Sequence, residues 1–123
     1  MKALVLCGGY GTRLKPLTES VSKCMVNIAG KPCLERIVSC LADFGITEVA
    51  VNIHWLYPQI VEYFGDKLIY LYEPELLGTA GTIKRLIPWL GEDFIVLNGD
   101  TLTDVGIDCF ADFHIGAGRI ATI

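Results

Sequence analysis

The chain has 123 residues, 52% apolar and 20% charged, a balance that supports a packed core and excludes a disordered or collagen-like polymer. Ten Lys and Arg against fourteen Asp and Glu leave a net charge of −4, so the basic footprint needed to bind nucleic acid is missing. No apolar run approaches the roughly 18 residues of a membrane span, and the short run from Met1 to Cys7, soon broken by glycines, does not read as a secretory leader.

Lys2 to Cys7 is a continuous apolar run that stops at Gly8-Gly9, the pattern of a parallel strand buried on both faces. From Gly8 to about Ser22 there is no period, and Gly11 and Pro16 mark the stretch as loop. Pro32 then opens a helical pattern in which Leu34, Ile37, Val38, Leu41 and Phe44 recur at three and four, with Gly45 closing it. Thr47 to Ile53 reads as a strand, Pro58 to Phe64 as a short helix ended by Gly65, and Lys67 to Tyr72 as another strand. Thr79 to Leu90 is helical, with Ile83, Leu86, Ile87 and Leu90 on one face, and Phe94 to Leu97 is a strand ending at Asn98-Gly99-Asp100.

This alternation predicts an α/β fold: a Rossmann-like parallel sheet, mixed at its edge, with helices on both faces, in one domain over residues 1–123. Arg119 to Ile123 predicts the start of a further strand, an apolar edge that must find a partner. Two readings answer that need: closure on another copy as a homo-oligomer, or a longer protein of which this is the front part. The second is favoured. Five cysteines, an odd number with no C-x-x-C pair and no ligand-spaced histidines, argue against a disulfide framework and a structural zinc site. A reduced, cytoplasmic compartment is therefore expected, with Cys33 and Cys40 acting as small core hydrophobes.

The chemistry concentrates in the first loop, Gly8-Gly9-Tyr10-Gly11-Thr12-Arg13-Leu14. Its closely spaced glycines let the backbone bend sharply and present N–H groups to a ligand, and convergent N–H groups make an anion site. Arg13 adds a planar, permanently charged fork suited to phosphate oxygens. Two familiar phosphate loops do not fit. Neither Gly8 nor Gly9 is followed by the Gly-Lys of a P-loop at the required spacing, and Leu14 stands where a dinucleotide fingerprint needs its third glycine. Pro16 would also interrupt the helix that such a fingerprint opens.

Gly8-Gly9-Tyr10-Gly11-Thr12-Arg13-Leu14 with Pro16-Leu17-Thr18, followed by Ser22-Lys23 and Gly30-Lys31-Pro32, resembles the amino-terminal signature of the sugar-1-phosphate nucleotidyltransferases. That family includes mannose-1-phosphate guanylyltransferases and glucose-1-phosphate thymidylyltransferases. Glu73-Pro74-Glu75-Leu76-Leu77-Gly78-Thr79-Ala80-Gly81 resembles the family's base-recognition segment and Asn98-Gly99-Asp100 its metal-binding turn, in the same order. Cys7 stands where the family commonly has alanine, a small-for-small difference.

The resemblance implies transfer of a nucleotidyl group from a nucleoside triphosphate to a sugar 1-phosphate, giving a nucleotide sugar and pyrophosphate. Leu6, Gly8, Gly9, Gly11, Thr12, Arg13, Glu73, Gly78 and Thr79 are then the expected nucleotide contacts. Arg13 and Lys23 are the expected catalytic cations, and Asp100 the expected ligand of Mg²⁺. On its own Lys23 reads as a solvated lysine; its place in the motif reverses that reading. Asp104 reads as a helix cap or a solvated loop acid. Glu73 falls where uridylyl and thymidylyl enzymes of the family often have glutamine. A carboxylate only accepts hydrogen bonds, which suits the adjacent N1–H and N2–H of guanine, so GTP is the favoured donor. The family's catalytic domain runs well beyond this length and supplies its sugar site there, so a short, non-catalytic nucleotide-binding subunit is the alternative.

Overall fold

The computed structural model describes residues 1–123. The first strand, β1 (Lys2–Leu6), is buried over Ala3, Leu4 and Val5, as its unbroken apolar run requires. A long loop with single 3₁₀ turns at Thr12–Leu14, Leu17–Glu19 and Lys23–Met25 follows. It leads to a short antiparallel hairpin, β2 (Asn27–Ile28) and β3 (Lys31–Pro32), turned through Ala29 and Gly30 at positive φ. Pro32, with its φ preset, stands at the N-cap of α1 (Cys33–Asp43), which buries Leu34, Ile37 and Leu41 of the predicted stripe together with Cys33, while Val38 is half-buried and Phe44, just past the helix, is exposed. The chain then alternates: β4 (Val49–Ile53), α2 (Pro58–Phe64), β5 (Ile69–Tyr72), α3 (Gly78–Leu90), β6 (Phe94–Asn98) and α4 (Ile107–Ala117).

The main sheet has four strands in the order β5-β4-β1-β6, and all of its pairings are parallel. Side chains of a strand alternate between faces, so β1 contributes to two cores. Ala3 and Val5 join a cluster with Leu34, Ile37 and Leu41 of α1 and Ile60 and Phe64 of α2. Leu4 instead joins Ala50, Leu86 and Leu90 under α3. Helices therefore cover both faces, and each fully buried leucine contributes on the order of 1.5–3 kcal/mol. Cys33 lies in the larger core and the half-buried Cys40 packs against it, both as free thiols.

Two expectations are corrected. The antiparallel pairing expected at the edge of the sheet belongs to the separate β2–β3 hairpin, while β5 and β6 bound a wholly parallel sheet. The strand expected from Arg119 to Ile123 does not form. After α4 the chain turns at Gly118 (φ +57) and runs back along that helix, where Thr122 contacts His114 Nδ1 at 2.9 Å, so the segment never reaches a sheet edge.

Candidate functional site

The parallel strands bring the carboxyl ends of β1, β4 and β6 together, which is where open α/β sheets bind ligands. Leu6 is in register with Asn52 on one side and with Asn98 on the other. The first loop, the end of β4 and the Asn98-Gly99-Asp100 turn therefore face one another.

Local geometry shapes the loop. Gly11 adopts φ +65, and a Cβ there would stand 2.8 Å from Thr18 Cγ2, so a glycine is required. The Thr18 hydroxyl and the Leu14 N–H both donate to the Gly11 carbonyl, at 2.6 and 2.9 Å, closing the turn. The N–H groups of Gly9, Tyr10, Gly11 and Thr12 donate to no backbone carbonyl and remain available to an anion. Gly8 differs: its N–H, like that of Cys7, turns inward to Asn52 Oδ1. It supports the loop rather than offering a free donor.

The opposite wall is held by Gly99. Its N–H donates to the Leu6 carbonyl at 3.0 Å, and a Cβ on it would stand 2.6 Å from both Cys7 Sγ and Cys24 Sγ. This close approach delivers Asp100 to Lys23, with Nζ and Oδ2 3.0 Å apart. Partial burial of Asp100 would raise its pKa, but the Lys23 hydrogen bond and charge, with help from its own backbone and the Thr101 hydroxyl, hold it below the ordinary aspartate value. The Cys7 thiol is pushed well up by its hydrogen bond with Cys24 and by burial.

Two clefts open here and meet at Lys23 and Asn98. The larger, about 610 Å³, is lined by Gly11, Thr12, Arg13, Leu14, Lys23, Asn98, Asp100 and Thr101. The smaller, about 210 Å³, takes its walls from Leu6, Gly8, Gly9, Asn52 and the Glu73–Thr82 region. Every residue singled out as catalytic, nucleotide-binding or metal-binding lines one of the two. Arg13 makes no ion pair, so its fork is free to face an incoming anion. Asp104 lies outside both clefts, exposed in the loop before α4, whose N-cap is Gly106.

Glu73 is fully buried. Its Oε1 accepts the Thr82 hydroxyl at 2.5 Å and its Oε2 the Leu77 N–H at 3.2 Å, so it fastens the start of α3. The positive end of that helix favours a carboxylate there. The Glu73 carbonyl accepts from His54 Nδ1 at 2.7 Å, and His54 Nε2 pairs with the Tyr10 hydroxyl, also at 2.7 Å. Tyr10 thereby ties the first loop to the Glu73 segment.

Asn52, His54 and Thr82 escaped the sequence reading. A lone asparagine inside the apolar run Val49-Ala50-Val51-Asn52-Ile53 was the available signal, since a buried polar side chain requires a partner. For a divalent cation, no group of three His, Cys, Asp or Glu side chains gathers anywhere in the chain. Asp100 lines the larger cleft, with Oδ2 held by Lys23 and Oδ1 beside the Thr101 hydroxyl at 3.4 Å. This donor set fits Mg²⁺ shared with substrate phosphates, a mode in which one or two carboxylates suffice.

Comparison with known proteins identifies the family. The family model for nucleotidyl transferases matches residues 2–123. The chain is 42% identical over 112 residues to D-glycero-alpha-D-manno-heptose 1-phosphate guanylyltransferase of Campylobacter jejuni, covering 87% of this chain and 51% of that protein. It is 41% identical over 113 residues to N-acetylmuramate alpha-1-phosphate uridylyltransferase of Neisseria meningitidis, covering 85% and 49%. The crystal structure of HddC from Yersinia pseudotuberculosis, also solved in complex with GMP-PN, superposes with a TM-score of 0.82 at 30% identity. That match covers 93% of this chain and 54% of HddC. The chain thus spans about half the length of these two relatives. A glycine-rich loop with Arg13, the Lys23–Asp100 pair across the sheet's open end and a family match over nearly every residue carry one conclusion: this chain belongs to the nucleotidyl transferase family.

Proposed function

We propose that the chain supplies the nucleoside-triphosphate site of an enzyme that transfers a nucleotidyl group to a sugar 1-phosphate. The observation that carries this reading is the convergence of Arg13, Lys23 and the free Gly11 and Thr12 N–H groups with Asp100 on one cleft. In the reaction a phosphate oxygen of the sugar 1-phosphate bonds to the α-phosphorus, the bond from that phosphorus to the α,β-bridging oxygen breaks, and pyrophosphate leaves with the electron pair. The attacking group is already an anion, so the barrier lies in bringing anions together and in charge building up on the leaving group.

The loop donors at Gly9, Gly11 and Thr12 and the Arg13 fork would hold the β- and γ-phosphates and stabilise the departing pyrophosphate. Lys23, at the junction of the two clefts, would neutralise charge beside the α-phosphate. Asp100 would hold Mg²⁺ together with the phosphates; when bound, that ion supplies charge neutralisation and Lewis-acid polarisation. Leu6, Gly8, Glu73, Gly78 and Thr79 then surround the nucleoside in the smaller cleft.

GTP is the proposed donor, supported by the guanylyl activity in the name of the C. jejuni relative. Such chemistry belongs where nucleoside triphosphates and Mg²⁺ are plentiful, the cytoplasm. No helix is long and apolar enough to cross a membrane. A pyrophosphate-release screen of the full-length protein, crossing four nucleoside triphosphates with a panel of sugar 1-phosphates, tests the reading. Release above background for one pair is the expected outcome, and silence across the grid defeats it.

A further inference from the structure

We infer that Asn52 is a nucleoside-contacting residue: its side-chain N–H groups donate to an acceptor on the uncharged end of a nucleotide seated in the smaller cleft. The inference deepens the function proposed above and rests on it.

Asn52 sits near the carboxyl end of β4, in a strand whose other residues are all buried hydrophobes, and it is only 5% exposed. An amide can be placed either way round at a site, but its partners decide the orientation here. The Cys7 and Gly8 N–H groups both point at one terminal atom, at 2.7 and 3.3 Å, and two donors require an acceptor, so that atom is Oδ1. The other terminus is therefore Nδ2, which carries two hydrogens and has no partner in the protein.

Nδ2 is not sealed in. Asn52 is part of the cleft wall, and the buried Ser22 hydroxyl is the sole side-chain polar atom both closed off from solvent and unpartnered. Gly8 keeps the way open, because a Cβ there would stand 2.8 Å from Nδ2. A side chain more than nine-tenths buried, fixed at one end and aiming an unpaired donor into a cleft, is built to meet an acceptor. The acceptor belongs to the nucleoside and not to the triphosphate. The smaller cleft has one cation, Lys23, at its boundary, whereas Arg13 and the free N–H groups of Gly11 and Thr12 lie on the larger one, with Gly9 between the two at Lys23.

Asn52→Asp separates the two ends of the side chain. It keeps an acceptor for the Cys7 and Gly8 N–H groups and replaces the donor with a second acceptor. In the full-length enzyme, the inhibition constants of free guanosine and free uridine, which carry no phosphate to be repelled by the added charge, are measured against wild type. The inference expects the constant of the tighter-binding nucleoside to rise roughly tenfold or more, and the KM for its triphosphate to change more than kcat. An unchanged nucleoside constant in a folded Asn52→Asp protein overturns it. A measurement that needs no variant stands beside it: in wild-type protein the Asn52 side-chain amide resonances should move as the nucleoside saturates, and stationary resonances overturn the assignment. If wild-type enzyme takes up neither nucleoside triphosphate nor nucleoside, the nucleotidyl-transfer reading itself has failed, and this inference with it.

Discussion

The Lys23 ammonium lies 3.0 Å from Asp100 Oδ2 and so joins the first loop to the turn after β6 across the open end of the sheet. The folded-state pKa of Asp100 is depressed, so the stability this pair contributes is fully present above the unfolded aspartate value. It is lost as the pH falls through the folded value, in the acid range below the ordinary carboxylate titration. Lys23→Ala is expected to move the Asp100 titration upward, which carboxyl-carbon NMR measures directly. Asp100→Asn is expected to raise the Mg²⁺ concentration needed for half-maximal pyrophosphate release; a loss that no amount of metal repairs would point to folding.

Arg13 occupies an exposed turn and makes no ion pair, so the folded protein gains little from its charge. Arg13→Ala should leave the melting temperature close to wild type, as surface substitutions usually do. The same change should lower kcat/KM for the nucleoside triphosphate by roughly 10- to 100-fold, the size of a lost charge-assisted contact. Steady-state pyrophosphate release beside a thermal melt checks both halves.

Glu73 depends on two neutral donors for its buried carboxylate, the Thr82 hydroxyl and the Leu77 N–H. Thr82→Val removes one of them while keeping the volume, and should destabilise the fold by about 1–3 kcal/mol in a denaturant titration. Glu73→Gln should move donor preference towards UTP, because an amide both donates and accepts. If the melting temperature falls while the ranking of donors stays fixed, the role of Glu73 is confined to fastening α3.

Cys7, Cys24 and Cys33 are buried while Cys109 is exposed, and the Cys7 thiol is held well above its ordinary pKa. Thiolate is the reactive form, so a maleimide should label Cys109 first and leave the buried cysteines untouched until the protein unfolds. Gly99→Ala would force a methyl against two of those sulfurs and the Leu6 carbonyl. Overpacking of this kind costs about 1–3 kcal/mol, and faster labelling of Cys7 and Cys24 would report it.

The parallel sheet was legible because β1 and β6 are apolar runs ended by glycine or asparagine, because β4 is apolar apart from Asn52, and because α1 and α3 bury one stripe each. α4 was not: Ile107 to Ala117 is apolar nearly all round, yet only Ile107 is buried, so no stripe stands out. Strands of two residues, as in the β2–β3 hairpin, are too short to show a period. Within the site, the glycines, Arg13, Lys23 and Asp100 form an ordered motif that sequence can carry. The partnerships of Asn52 with Cys7 and Gly8, and of Tyr10 with His54, join residues more than forty positions apart, and only the folded register brings them together.

The central position of β1 shapes how the polypeptide must assemble. Leu4 ends up between Ala50 and Val96, so during synthesis β1 has no neighbour in its sheet until β4 is made, and its other edge waits for β6. Contacts between residues so distant in sequence form slowly. During synthesis the greasy opening segment must stay sheltered from its own kind, and a nascent chain halted before β6 would bare the strand around which everything else is organised.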